Sequence, residues 1–253
     1  MTILTLAGTI VIATGEQYTR QLYRPLIGGI QIELIKWWWI FPVFDAYCTI
    51  GYVAKAPDNS LGVITAGHCS NFETGISVYQ PAWSLLQNNY IGSPSWVAPS
   101  SSNNYFDVEF IPNSNVALAV LYASDTGASS ISTGYYYDFY QVRDLLRTGP
   151  ISVYKTGRTT GTTGGLITGA FDPLVVNLGG VTTSIRFALN TILYSLGGVS
   201  GSPVFSVDRY VGAILFGHVI AGSANQDPNN PRTIAQSTQA LLQYGYAPRT
   251  YWR

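Results

Sequence analysis

The chain has 253 residues, and its thirteen Lys and Arg residues balance its thirteen Asp and Glu residues, so its net charge is zero. Without an excess of basic residues to neutralise phosphates, nucleic acid is not an expected partner. Only 10% of the residues are charged, against about 25% in an ordinary soluble domain, and such a neutral, hydrogen-bonding surface suits a protein that works outside the cell or in an assembly.

The first part of the chain contains a segment of strong β propensity and a run of three tryptophans. Residues 2–13 are rich in Thr, Ile and Leu and carry no charge, and an unpaired strand of this kind would invite aggregation. The run Trp37 to Trp39 cannot place all three rings inward on one strand, so part of it is expected on a contact surface. Both features favour a homo-oligomer, with a strand paired only within its own chain as the alternative.

Short β-type runs dominate the rest of the chain. They are rich in Val, Ile, Tyr, Phe and Thr, and clusters of Gly, Asn, Ser and Pro separate them, which is typical of a sandwich or of barrels. The clearest runs cover residues 48–54, 62–65, 107–111, 152–154 and 210–215.

Two segments are predicted to be helical, and three are predicted to connect other elements. Residues 138–147 would make about two turns, and residues 233–244 have a helical apolar face between a proline and a glycine. Residues 99–104 and 225–231 have loop composition, rich in Pro, Ser and Asn. Residues 124–132 would connect two halves of the chain.

An apolar run ends in a histidine in the segment Val63-Ile-Thr-Ala-Gly-His-Cys69. Small residues allow a tight turn, which would leave the imidazole of His68 at a strand end near solvent. A neutral imidazole can accept and return a proton near pH 7, as the base of a nucleophile must. Taken alone, a hydrogen-bonded structural histidine is an equally good interpretation.

Two other segments carry a nucleophile and a carboxylate. Ser200 lies in Gly197-Gly-Val-Ser-Gly-Ser-Pro-Val-Phe205, where successive backbone N–H groups of a tight turn could hold an oxyanion; a Gly/Ser hairpin loop is the alternative. Asp107 opens an apolar run, and a carboxylate there could orient an imidazole, although a turn residue at a strand start is the commoner use. In chain order the three candidates are His, Asp and Ser.

This order and these motifs resemble the chymotrypsin-like serine peptidases, and most closely the bacterial branch that includes α-lytic protease and the streptomycete proteases. Residues 65–69 are similar to the family's histidine motif, and residues 198–203 to its serine motif. Leu26-Ile-Gly-Gly-Ile30 resembles the start of the mature bacterial enzymes, and Lys155-Thr-Gly-Arg-Thr-Thr-Gly161 resembles a segment of their second barrel. The resemblance covers roughly residues 25–248.

The resemblance implies an all-β fold of two packed six-stranded antiparallel β-barrels with a short C-terminal helix. Residues 1–25 would be an N-terminal extension, either an extra strand or a propeptide remnant. Residues 26–125 would form the first barrel, with the His and Asp of the motifs, and residues 126–253 the second barrel, with the Ser. Substrate would lie across the cleft between the barrels.

The resemblance also implies particular roles at that cleft. His68, Asp107 and Ser200 would form a catalytic triad, and the backbone N–H groups of Gly198 and Ser200 would form an oxyanion hole. The expected reaction is hydrolysis of peptide bonds in a protein or peptide substrate through an acyl-enzyme. No cofactor is expected, and two histidines, one of them already assigned, do not suggest a metal site.

The chain has two cysteines, Cys48 and Cys69. An even count together with little charge fits an oxidising compartment, whereas two free buried thiols would be the alternative. The resemblance pairs them in a disulfide that brackets the histidine loop. An extracellular location is therefore expected, either secreted or at the cell surface, and association with a virion is included in this expectation.

The specificity pocket is also placed by resemblance. Leu215, Phe216 and Gly217 match the strand that binds substrate backbone, and Tyr194 would lie at the pocket floor. Because no carboxylate is supplied there, burying a Lys or Arg side chain would be costly, and cleavage after apolar or small residues is expected. His218 would flank the pocket, with a structural role favoured over a role in specificity.

Two positions depart from the family pattern. Val199 stands where the family usually has Asp, whose partner in the bacterial branch is the arginine matching Arg158. Leu215 replaces a serine that supports the catalytic Asp. These departures leave open a catalytically inactive relative with a structural or assembly role, and other acyl-transfer chemistry such as that of an esterase. An active serine endopeptidase is favoured, because an abandoned site would tend to lose its triad.

Overall fold

The computed structural model of the chain describes residues 15–178, 180–222 and 231–252. The strand predicted over residues 2–13 and all but the last residue of the loop predicted over residues 225–231 lie outside these ranges.

The first half of the chain is built from short strands, whose buried residues pack partly with one another and partly with the second half. They form a four-stranded sheet in the order β3-β2-β6-β7 and a five-stranded sheet in the order β20-β4-β5-β9-β8, while β1 pairs in parallel with β10. The strands are β1 (Leu26–Gly28), β2 (Gln31–Trp38), β3 (Phe41–Thr49), β4 (Val53–Lys55), β5 (Leu61–Thr65), β6 (Ser77–Tyr79), β7 (Tyr90–Gly92), β8 (Trp96–Val97), β9 (Glu109–Pro112) and β10 (Val116–Ser124).

The second half contains a closed barrel. Strands β18, β17, β12, β13, β16 and β19 follow one another as neighbours, and β19 pairs back onto β18, so the six strands close antiparallel without a free edge. The strands are β11 (Gly127–Tyr136), β12 (Ile151–Gly157), β13 (Gly161–Phe171), β14 (Leu174–Leu178), β15 (Val181–Ile185), β16 (Ala188–Ile192), β17 (Pro203–Asp208), β18 (Gly212–Gly222), β19 (Thr233–Ser237) and β20 (Ala247–Pro248).

The all-β prediction is therefore confirmed, with a closed six-stranded antiparallel barrel in the second half. In the first half the hydrogen-bonded strands form two sheets instead of a single closed ladder, and their inner faces meet in a core that includes Ile32, Cys48, Val63 and Leu121. The last strand, β20, returns to the first half and pairs with β4.

The described residues contain three short helices, α1 (Glu16–Thr19), α2 (Phe139–Leu145) and α3 (Gln239–Leu242), and a 3₁₀ turn over Gly67–Ser70. The helix predicted at residues 138–147 forms as α2, and it begins with a capping box in which Asp138 and Gln141 satisfy each other's backbone N–H groups. None of the helices in the described ranges is long and apolar enough to cross a membrane.

The helix predicted over residues 233–244 is mostly wrong. Residues 233–237 form β19, which hydrogen-bonds to β16 on one side and to β18 on the other and so closes the barrel. Only α3 is helical. Two ladders of hydrogen bonds outweigh the helical spacing of the apolar residues in this segment.

The segment predicted to connect the two halves, residues 124–132, is a tight hairpin between β10 and β11. Strand β10 pairs with β1, and β11 pairs in parallel with β18 of the barrel.

The tryptophan run forms the tip of the β2–β3 hairpin. Trp37 packs edge to face against Trp83, with 5.6 Å between ring centroids. Trp39 sits at the turn with φ of 62° and is 89% exposed. Trp38 and Ile40 beside it are exposed as well. As predicted, the three rings do not all face inward.

Candidate active site

His68 is held at the end of β5 by a 3₁₀ turn. The chain leaves β5 at Thr65, turns over Gly67–Ser70, and ends the turn at Asn71, which has left-handed backbone angles. The predicted disulfide is confirmed: Cys69 in this turn is bonded to Cys48 at the end of β3. The bond ties the turn that carries the imidazole to a neighbouring strand.

Asp107 lies just before β9, is fully buried, and contacts His68 with both carboxylate oxygens. Oδ1 accepts a hydrogen bond from the backbone N–H of His68 at 2.8 Å, and Oδ2 lies 2.6 Å from Nδ1 of the ring. Because a carboxylate only accepts, Nδ1 must carry the proton, which leaves Nε2 as the acceptor. Nε2 lies 2.8 Å from Oγ of Ser200.

The structure thus brings together the three residues that the sequence singled out, in the order Asp107, His68, Ser200. Burial lowers the pKa of the half-buried imidazole, but the charge of Asp107 and its hydrogen bond outweigh that effect, so the pKa of His68 is raised above its ordinary value. The ring is arranged to accept a proton from the serine hydroxyl.

The carboxylate of Asp107 also has a third hydrogen-bond donor, which the sequence did not reveal. The hydroxyl of Tyr105 lies 3.4 Å from Oδ2, a long hydrogen bond. Burial and the neighbouring carboxylate both raise the pKa of Tyr105, so the phenol keeps its proton. Tyr105 is therefore a further, weak donor to the carboxylate of Asp107.

The loop before Ser200 is held by threonine hydroxyls. Oγ1 of Thr49 donates to the carbonyl of Gly198 at 2.9 Å, and Oγ1 of Thr159 donates to the carbonyl of Gly197. The backbone N–H of Thr49 also donates to the carbonyl of Ser200 at 2.9 Å. Gly198 has φ of 90°, and a Cβ there would approach Arg158 and Thr159 to 2.9 Å, so this position requires glycine.

The two predicted oxyanion donors lie in this loop. Within the described part of the chain, the backbone N–H groups of Gly198 and Ser200 donate no hydrogen bond to another residue.

Val199 and Arg158 do not interact as the acid and base do in the bacterial family. Val199 is buried and packs against Gly157 in the apolar core. The guanidinium of Arg158 instead donates from Nε to Gln31 at 2.7 Å and stacks on the ring of Tyr47 at 4.3 Å. Packing and threonine hydrogen bonds take the place of the ion pair.

A depression of about 270 Å³ lies beside Ser200. Its described lining is His68, Ser195, Leu196, Gly197, Val199, Ser200, Val219, Ile220, Ala221 and Gly222. Apart from the imidazole, none of these side chains is ionisable.

The residues predicted for the specificity pocket are not among this lining. Leu215 and Phe216 are buried further along β18, where Leu215 pairs with Phe205, and Gly217 lies beside Val204. The end of β18 that reaches the site begins at Val219. Its carbonyl accepts a hydrogen bond from the backbone N–H of Gly201, and its N–H donates to the carbonyl of Ser202. The lining of the depression thus lies on the same strand as the predicted residues but begins two residues after Gly217, and the predicted pocket stays a prediction.

Tyr194 and His218 are also placed away from the depression. Tyr194 is half-exposed, and its carbonyl accepts a hydrogen bond from Thr163 at 3.0 Å. His218 is fully buried behind Asp107, with Nε2 2.8 Å from the backbone carbonyl of that residue. This contact favours the structural interpretation of His218.

No protein-family model and no curated protein matches the sequence of the chain. The structure is similar to solved bacterial proteases, including Thermobifida fusca protease A (19% identity, TM-score 0.59) and Cellulomonas bogoriensis chymotrypsin (22%, 0.60), each match covering 88% of this chain and 98% of that chain. A glutamic-acid-specific serine protease that uses a histidine triad in substrate binding is 20% identical, with a TM-score of 0.64 over 88% of this chain and 100% of that one.

These matches define the fold. The chain has the chymotrypsin-like fold of bacterial serine proteases.

Proposed function

We propose that the chain is a serine endopeptidase that hydrolyses peptide bonds through an acyl-enzyme. The observation that carries the proposal is the hydrogen-bonded series from Asp107 through His68 to Ser200, with distances of 2.6 and 2.8 Å, beside an open depression. A serine hydroxyl is a weak nucleophile until a base accepts its proton, and this series supplies both the base and the group that orients it.

In the proposed reaction, Oγ of Ser200 attacks the scissile carbonyl while its proton passes to Nε2 of His68. The carbonyl oxygen becomes an oxyanion, which the N–H groups of Gly198 and Ser200 would bind. His68 then gives its proton to the leaving amine, and the C–N bond breaks to leave an ester on Ser200. Water then attacks the ester while His68 accepts its proton. The ester C–O bond breaks, His68 returns the proton to Oγ of Ser200, and the carboxylic acid is released. Asp107 holds the Nδ1–H tautomer throughout.

We further propose that the residue before the scissile bond is apolar or small. The end of β18 from Val219 to Gly222 would contact that residue, together with Leu196, and the described lining carries no carboxylate to pair with Lys or Arg. The glutamic-acid-specific neighbour binds substrate with a histidine triad, whereas this chain has two histidines in all, and one of them is buried against Asp107. A preference for acidic residues by that route is therefore not expected.

A fluorophosphonate probe tests the proposal, because it labels only serines that a base activates. The wild-type chain should be labelled at Ser200 and should cleave peptides, and Ser200→Ala should lose labelling and several orders of magnitude in kcat with the fold intact. Ser129→Ala, at an exposed serine of β11, is the matched control and should behave as wild type. A folded wild-type chain that neither labels nor cleaves would favour the inactive, structural alternative.

We propose an extracellular setting for this activity. The Cys48–Cys69 disulfide persists best where the surroundings are oxidising. The homo-oligomer expected from the sequence also stays a prediction, and the exposed tip around Trp38 and Trp39 is the described surface that would serve it. Light scattering on the full chain and on Trp39→Ser tests the idea, and a monomeric full chain would reject it.

A further inference from the structure

Two side chains of the second barrel hold the backbone of Asp107. Its N–H donates to Oε1 of Gln236 at 2.8 Å, and its carbonyl lies 2.8 Å from Nε2 of His218. All three residues are fully buried. Gln236 and His218 are direct cross-strand partners on β19 and β18. One cross-strand pair of the barrel therefore contacts both the backbone N–H and the backbone carbonyl of Asp107.

The chemistry of each contact is fixed by what surrounds it. Nε2 of Gln236 faces two carbonyls, those of Tyr105 at 3.1 Å and Arg186 at 2.9 Å. The amide nitrogen can only donate, so Oε1 must be the atom that accepts from Asp107. This side chain therefore joins three segments of the chain and has no satisfactory flipped orientation.

His218 is likewise restricted to one tautomer. A backbone carbonyl only accepts, so Nε2 must carry the proton. Burial lowers the pKa of His218, although the contact with Asp107 opposes this effect. In the described part of the chain Nδ1 has no hydrogen-bond partner, so a charged ring would leave a second N–H unsatisfied. His218 is a neutral donor, unlike His68.

We infer that His218 and Gln236 are positioning residues, which set where Asp107 stands relative to His68. His68 and Asp107 belong to the first half of the chain and Ser200 to the second, so the contact from His68 to Ser200 depends on how the halves meet. His218 is followed directly by Val219, which lines the depression and bonds to the serine loop. The His218–Gln236 pair thus fixes the position of Asp107 relative to the serine loop and to the end of β18 that lines the depression.

The catalytic part of this inference rests on the proposed function, but its main test does not need turnover. In the Ser200→Ala background, NMR titration of His68 reports how well Asp107 stabilises the imidazolium. His218→Phe removes the donor but keeps a ring, and Gln236→Met removes the amide. Each should lower the pKa of His68 relative to the background and weaken the downfield signal of its Nδ1 proton.

Two further variants make the result specific. His218→Gln keeps an N–H near the position of Nε2 and should restore most of the pKa of His68. Thr191→Val removes another buried hydrogen bond of the same barrel, from Oγ1 of Thr191 to the carbonyl of Thr233, and should leave the His68 titration unchanged. If His218→Phe does not fold, Gln236→Met carries the same prediction through the other contact.

Kinetics supply the second readout. In the Ser200-containing enzyme, His218→Phe and Gln236→Met should lower kcat roughly 10- to 100-fold with little change in KM, as expected when a catalytic group is displaced without loss of substrate contacts. A His68 pKa in both variants equal to that of Thr191→Val would overturn the inference. If that pKa shifts while the wild-type chain shows no turnover, the proposed function fails and the positioning role stands.

Discussion

Thr49→Val should destabilise the loop that carries Ser200, because one buried hydroxyl joins two other segments to β3. Oγ1 of Thr49 donates to the carbonyl of Gly198 at 2.9 Å and accepts from the backbone N–H of Arg158 at 3.1 Å. Valine has the same shape but leaves both groups without this partner. An orphaned buried polar group costs about 1 to 3 kcal/mol. Both groups are only partly buried, so the lower end, about 1 kcal/mol, applies to each. For the two groups together we expect a loss of about 2 kcal/mol in the free energy of unfolding.

The same change should slow reaction at Ser200. The Gly198 carbonyl, which Thr49 fixes, belongs to the peptide that lies between the two peptides whose N–H groups, those of Gly198 and Ser200, are proposed for the oxyanion hole. Removing one oxyanion donor lowers kcat about 10²- to 10³-fold. A donor that is only less well positioned should lower the reaction rate by about tenfold or more. Urea unfolding and the rate of fluorophosphonate labelling measure the two effects. Thr49→Ser keeps the hydroxyl and is the control; equal stability and labelling rates in both variants would refute the reasoning.

Three other predictions follow from charge and covalent structure. The raised pKa of His68 places the acidic limb of the kcat/KM profile above its ordinary value of about 6.5, and Asp107→Asn should move it down; a wild-type midpoint below that value would contradict this. Burial raises the pKa of Glu109 well above its ordinary value, so the folded chain keeps a proton that the unfolded chain releases. The free energy of unfolding should then fall by about 1.4 kcal/mol per pH unit above about pH 4.3, up to the folded-state pKa. Glu109→Gln should flatten this pH dependence, measured by urea unfolding. The same slope in the wild-type chain and in Glu109→Gln would contradict a raised pKa of Glu109. Removing the Cys48–Cys69 bond, which closes a loop with a sequence separation of 21, should cost about 3 kcal/mol by the same assay in the chain-entropy model, and unchanged stability would count against that model here.

The chemistry-bearing residues could be predicted from sequence because each lies in a short segment with its own local signal. A small-residue turn ends the apolar run before His68, and glycines flank the turn of Ser200. The backbone geometry of these turns depends on residues close in sequence, such as Gly198 with its positive φ. The resemblance to a known family then supplied the pairing of segments that lie far apart.

The residues around that centre could not be predicted in the same way. Strand β18 is apolar on both faces along most of its length, so no alternation marks which part reaches the site, and bulges beside Val204 and after Val219 shift its register. Gln236 contacts Asp107 across 129 residues of sequence, and neither residue type has a local pattern that announces such a contact.

The low charge of the chain and the construction of its candidate site are connected. An ion pair that shapes the serine loop would have to overcome the desolvation of two charges, whereas here neutral hydroxyls from Thr49 and Thr159 hold the loop at the cost of ordinary hydrogen bonds. Neutral groups from His218 and Gln236 likewise hold Asp107. Salt screens surface charges and acid protonates carboxylates, but neither acts directly on these contacts. The pH sensitivity of the site therefore concentrates in the Asp107–His68 pair, where the imidazole must accept a proton in the proposed reaction.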